Sequence, residues 1–163
     1  MFGFFKKKRV PALSADWSAA IGKADHAVHQ QMERAAALLK MQLLLCQHSA
    51  GYGSKVRSKF FRGYVVGFFD SALQWVRIPV NSDEELISFI CVGHVYLSSP
   101  SESIRPLFGG NTGGALDFCL DSMSLQGDAE FGAAQAQGGT EFFDFASEKI
   151  PSPNGLVNYF HSK

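Results

Sequence analysis

Between positions 60 and 76 the chain reads FFRGYVVGFFDSALQWV, and no other stretch restricts the fold so strongly. At 1.5 Å per residue these seventeen residues reach about 25 Å, short of the roughly 30 Å of a bilayer's hydrocarbon core. Arg62 and Asp70 also interrupt the run, so it reads as a core helix rather than a membrane span. At 100° per residue, Phe61, Tyr64, Val65, Phe68, Phe69, Ala72, Leu73, Trp75 and Val76 fill about two-thirds of its circumference. Gly63, Gly67, Asp70, Ser71 and Gln74 gather on the remaining strip, bordered by Lys59 and Arg77, with Phe60 its one large apolar member. Glycines on a helix let another backbone come close. The strip is therefore expected to be a close-packing contact, with the Gly138–Gly139 segment or a second copy as neighbour, or else a docking face.

A helix apolar on most sides needs other helices around it, and the rest of the chain supplies them. The apolar positions from Asp16 to Cys46 (Trp17, Ile21, Ala24, Val28, Met32, Ala35, Leu39, Cys46) share one arc and predict a long amphipathic helix capped by Ser14 or Asp16. AGYGS, with glycines at 51 and 53, predicts a turn, and the glycine-bearing helix is expected to begin near Ser54. SDEEL at 82–86 is a capping box that opens a helix over Asp83–Leu97, apolar nearly all round and so central. A long loop containing glycines and prolines follows at 98–114, with room for a short helical turn near Ser103–Phe108. Helices are then expected over Gly114–Leu125 and, capped by Asp128, over Ala129–Ser147, the second with an alternative break at Gly138–Gly139. The tail from Pro151 is expected to dock as a short helix. No convincing strand alternation occurs. The expected fold is all-α: a single-domain bundle of about five helices over 12–163, preceded by a flexible basic N-terminus over 1–11.

Charge narrows the partners. The fifteen basic and fifteen acidic side chains cancel, which argues against a dedicated nucleic-acid binder. They are unevenly placed: residues 1–77 hold twelve Lys and Arg against four Asp and Glu, and residues 78–163 hold three against eleven. The halves are thus +8 and −8 and are expected to neutralise each other, within one chain or across a dimer. MFGFFKKKRVP lacks the charge order of a signal peptide, and Phe2 occupies the glycine position that myristoylation requires. Its Phe2–Arg9 stretch could make a weak contact with an anionic membrane surface. Cys46, Cys91 and Cys119 form no CxxC and give an odd count in apolar contexts, which points to free thiols and a reducing cytoplasm.

Chemistry-bearing patterns are few. His26, His29 and Glu33, at i, i+3 and i+7, fall within about 60° on a helix and are the best metal candidates, although they lie on a polar face. Cys91 and His94, at i and i+3 on the central helix, could form an activated thiol pair, but a neutral core histidine is the plainer reading. LFGGNTGGALDF (107–118) places glycines before a helix, yet it lacks the lysine and preceding strand of a phosphate loop, so Asn111 or Thr112 is expected simply to cap. No catalytic constellation and no cofactor motif appears. The sequence therefore favours a non-catalytic cytoplasmic protein that binds another protein or a second copy of itself, as adaptor, inhibitor, chaperone or assembly subunit. Two alternatives stand beside it. One is a bundle holding a small hydrophobic ligand against the Phe-containing fourth and fifth segments. The other is an enzyme of unrecognised type using His94, Cys91 or the Asp70 region.

Overall fold

The computed structural model describes residues 21–163. Among them every regular element is helical: α1 (His26–Cys46), α2 (Tyr52–Lys55), α3 (Lys59–Trp75), α4 (Asp83–Ser98), a 3-10 turn (Phe108–Gly110), α5 (Thr112–Met123), α6 (Ala129–Ala146) and α7 (Gly155–His161). Five long helices form the bundle, and α2 and α7 are short. The expected caps Ser14 and Asp16, and the basic stretch 1–11, lie outside the described residues.

Local chemistry sets where most of these helices start. Asp25, Ser58, Ser82, Asn111 and Asp128 each precede a helix, and each accepts a hydrogen bond from an amide of its first turn. The caps correct three expected boundaries. The long helix predicted from Asp16 is interrupted: Asp25 is extended (φ −72°, ψ 170°) and its carboxylate accepts from the Val28 amide at 3.0 Å, so α1 starts at His26. Ser58 likewise starts α3 at Lys59 rather than near Ser54, leaving α2 as a separate single turn after Gly51 (φ 73°). Asn111 caps α5, which starts at Thr112, two residues before the expected Gly114. In the capping box Ser82 accepts from the Glu85 amide at 3.1 Å, but Glu85 reaches past Ser82 to the Asn81 amide at 2.5 Å. The expected turn at 103–108 forms later, as the 3-10 turn at Phe108–Gly110, and α6 runs unbroken through Gly138 and Gly139.

All seven helices contribute to one apolar core. Phe61, Tyr64, Phe68 and Phe69 of α3 are fully buried at its centre, each worth about 2 kcal/mol of stabilisation from burial alone. The order of contacts fixes the topology. Gln31 on α1 donates to the Ala72 carbonyl at 2.9 Å and Gln42 donates to the Tyr64 hydroxyl at 3.2 Å, so α1 runs antiparallel to α3. Phe68 meets Phe142 and Trp75 meets Phe143, so α6 runs parallel to α3. The N-terminal end of α1 and the C-terminal ends of α3 and α6 therefore share one end of the bundle.

Candidate functional site

The glycine strip of α3 divides in two. A β-carbon at Gly63 would overlap the Phe131 carbonyl oxygen, and one at Gly67 would overlap that of Gln135. Across the seam, a β-carbon on Gly138 would strike the Tyr64 carbonyl. The backbones of α3 and α6 thus approach as closely as side-chain-free positions allow, and Gly63 and Gly67 are spent on this internal contact. Ser71 is buried beside them. Asp70 is half-buried and Gln74 is exposed, so the far end of the strip reaches the surface. Burial pushes the Asp70 carboxyl upward, with a hydrogen bond from Gln74 pulling the other way.

Next to this seam lies a polar network joining four helices. The Tyr64 hydroxyl donates to Glu141 of α6 and accepts from Gln42 of α1. Gln42 Oε1 accepts from the Leu156 amide at 2.9 Å, and Glu141 accepts from the Gly155 and Asn154 amides at 2.9 and 3.3 Å. Two side chains from distant helices thus satisfy the amides that open α7, which has no side-chain cap of its own. Burial, followed by the bond to Glu141, pushes the Tyr64 phenol well above its ordinary range. An open groove of about 520 Å³ runs alongside, lined by Gln137, Thr140, Glu141, Asp144, Ile150 and Asn154 among others. Sequence reasoning missed this network, having counted Tyr64 as apolar; Tyr64 and Glu141 lie 77 residues apart.

His94 is fully buried among Phe69, Phe108 and Phe118, with ring centroids 5.5–6.1 Å away. Its Nδ1 donates to the Ile90 carbonyl at 2.9 Å, and Nε2 has no partner among the described residues. Burial pushes its pKa down to about 4, so the ring is neutral near pH 7. Cys91 and Cys119 are fully buried, and burial, then the neighbouring Cys91 thiol, drives the Cys119 thiol upward. That is the reverse of what a nucleophilic thiolate needs. Arg62 closes the cluster, 3.9 Å over the Phe118 ring and donating to the Phe118 carbonyl and Ser122 hydroxyl.

The three metal candidates are not brought together. His26 and Glu33 point into solvent, while His29 turns inward to hydrogen-bond the Tyr96 hydroxyl at 3.1 Å. Among the described residues no group of three His, Cys, Asp or Glu could hold a metal ion.

The feature that sequence reasoning overlooked is the outer face of α1. Its first half carries His26, Gln30, Glu33 and Arg34; from Ala37 onward the same face turns apolar. Met41, Leu44 and Leu45 are 63%, 43% and 67% exposed, with Ala37 and Leu38 beside them. The positions 37, 41, 44 and 45 were readable in the sequence as a second, short apolar stripe opposite the core-facing one.

Comparison with known proteins leaves the geometry to speak alone: no protein-family model, no curated protein and no solved structure matches this chain.

Proposed function

We propose that this protein acts by binding another protein or a second copy of itself, not by catalysis, and that the outer stripe of α1 is the docking face. One observation carries this reading: Met41, Leu44 and Leu45 stand exposed together on a helix whose opposite face is packed into the core. Isolated surface leucines are ordinary, whereas apolar side chains gathered on one stripe mark contact surfaces. The 3-4-3-4 spacing of Arg34, Ala37, Met41, Leu44 and His48 suits a helix laid alongside another helix or into an apolar groove.

The buried chemistry supports the non-catalytic half of the reading. His94 and the thiols of Cys91 and Cys119 are sealed from solvent, and desolvation holds His94 and Cys119 in their unreactive neutral forms. The groove beside Glu141 is lined largely by polar side chains, which suits a hydrophobic small molecule poorly. Free, buried cysteines suit a cytoplasmic location. Among the described residues no helix is long and apolar enough to cross a membrane.

The test compares the full chain with a Met41→Glu/Leu45→Glu variant by light scattering after size exclusion and by recovery of partners from the native host. The parent is expected to self-associate or to co-purify with a stoichiometric partner. The variant should lose that association while melting like the parent. A variant that keeps the parent's mass and partner would sink the proposal.

A further inference from the structure

A second exposed apolar patch lies at the end of the bundle where α1 begins. Trp75 and Val76, which close α3, are 44% and 46% exposed, and Trp75 meets the half-buried Phe143 edge-on at 5.9 Å. The residue after Phe143 is Asp144, which lines the groove with Glu141, and Glu148 stands exposed just beyond. Phe143 and Asp144 are thus consecutive on α6, and Glu148 follows two residues past its end. The cation paired there is Lys149, 3.4 Å from Asp144 and largely solvated, a loose contact that another amine could replace.

We propose that this surface is the docking site for the chain's own Phe2–Arg9 segment, which lies outside the described residues. Three observations converge on that occupant. The segment, FGFFKKKR, joins three phenylalanines to four cations, the chemical complement of an aromatic patch edged by carboxylates. The described chain begins at Ile21, and α1 then passes Ala72 through Gln31, so the first described residues lie at the Trp75 end of the bundle. From Arg9 to Ile21 is a run of twelve residues, which extends to roughly 40 Å and so reaches the patch without strain. The α1 stripe is the poorer match: it lies toward the opposite end of α1, and Arg34 and Lys40 adjoin it. At the Trp75 end the carboxylates Glu141, Asp144 and Glu148 outnumber the neighbouring cations Arg77 and Lys149, which favours the cations of Phe2–Arg9 there. The docked segment would cover Trp75 and Phe143 with its phenylalanines and set its lysines against Asp144 and Glu148. This assignment is independent of the α1 stripe and survives or falls separately from it.

The chain holds two tryptophans, so Trp17→Phe leaves Trp75 as the sole reporter in an otherwise intact protein. In that background, Phe4→Ala/Phe5→Ala is expected to raise the acrylamide quenching constant of Trp75 at least twofold. Carbodiimide treatment of the Trp17→Phe protein should join Lys6, Lys7 or Lys8 to Asp144 or Glu148 within single chains, and Asp144→Asn should deplete those products. Equal quenching with and without the two phenylalanines, together with no such cross-link, overturns the assignment. Cross-links confined to covalent dimers overturn it in favour of exchange between copies. Binding to phosphatidylglycerol vesicles that leaves Trp75 quenching insensitive to the Phe substitutions overturns it in favour of a membrane contact.

Discussion

α1 and α3 are both long and lie antiparallel against each other, yet they meet their surroundings in opposite ways. α3 is enclosed on nearly every side, and where its side chains end, at Gly63 and Gly67, α6 closes directly onto its backbone. α1 packs through one face and leaves Met41, Leu44 and Leu45 in water on the other. α3 is the more apolar of the two, but both are rich in large hydrophobic side chains. What differs is the placement of the residues without side chains. Glycine on a helix admits a neighbouring backbone, whereas a bulky apolar stripe waits for a surface shaped to receive it.

That contrast can be broken most severely at the sealed side. Gly67→Leu should cost about 4 kcal/mol or more in urea denaturation, because its side chain must displace the backbone at Gln135. Stability within about 1 kcal/mol of the parent would mean that the α3–α6 seam yields easily.

The next effect is pH-dependent and again concerns a sealed group. His94 has an unfolded-state pKa near 6.5 and a folded-state value of about 4. Between those values the unfolded chain binds the extra proton, so stability is complete above about pH 6.5 and falls as the pH drops toward 4. His94→Phe, which keeps an aromatic ring among Phe69, Phe108 and Phe118, should remove from the pH–stability curve a loss of up to about 3 kcal/mol. A variant whose curve parallels the parent's between pH 6.5 and 4 would show that His94 titrates normally.

Tyr64→Phe tests the network between seal and surface. Removing the hydroxyl leaves Glu141 and Gln42 each short of one partner, at an expected cost of about 1–2 kcal/mol. Hydrogen exchange at Leu156 should accelerate more than at Leu43 of the core, since Gln42 and Glu141 jointly hold the start of α7. Equal acceleration at both amides would show that the network acts on the whole fold. The smallest stability effect belongs to the open side: Met41→Glu/Leu45→Glu should change unfolding free energy by no more than about 0.5 kcal/mol while abolishing association. A large loss of stability would show that the stripe is part of the core.

Much of this architecture was legible because helical periodicity and caps are local signals. Ser82 and Asp128 sit where sequence reasoning expects them, and α4 and α6 follow to within a residue at each end. The start of α1 was hidden because Ile21, Ala24 and Val28 keep the helical phase across the break at Asp25, so periodicity could not reveal that the carboxylate ends one segment and caps the next. The outer stripe of α1 was concealed by the stronger arc on its other face. The Tyr64–Glu141 contact was beyond any local rule: it depends on two helices that meet only after the intervening chain has folded back.

That parallel pairing of α3 with α6 also fixes when the molecule becomes whole. Neighbouring helices joined by a short turn can zip together almost at once, but Tyr64 and Gly138 must find each other across the loop formed by the segment through α4 and α5. Closing so long a loop is entropically slow, and contacts of large sequence separation tend to form late. During synthesis α3 leaves the ribosome well before its closest neighbour exists. Until α6 arrives, the nascent chain carries its most aromatic helix without its closest cover, and that interval is when it has most to lose by meeting another copy of itself.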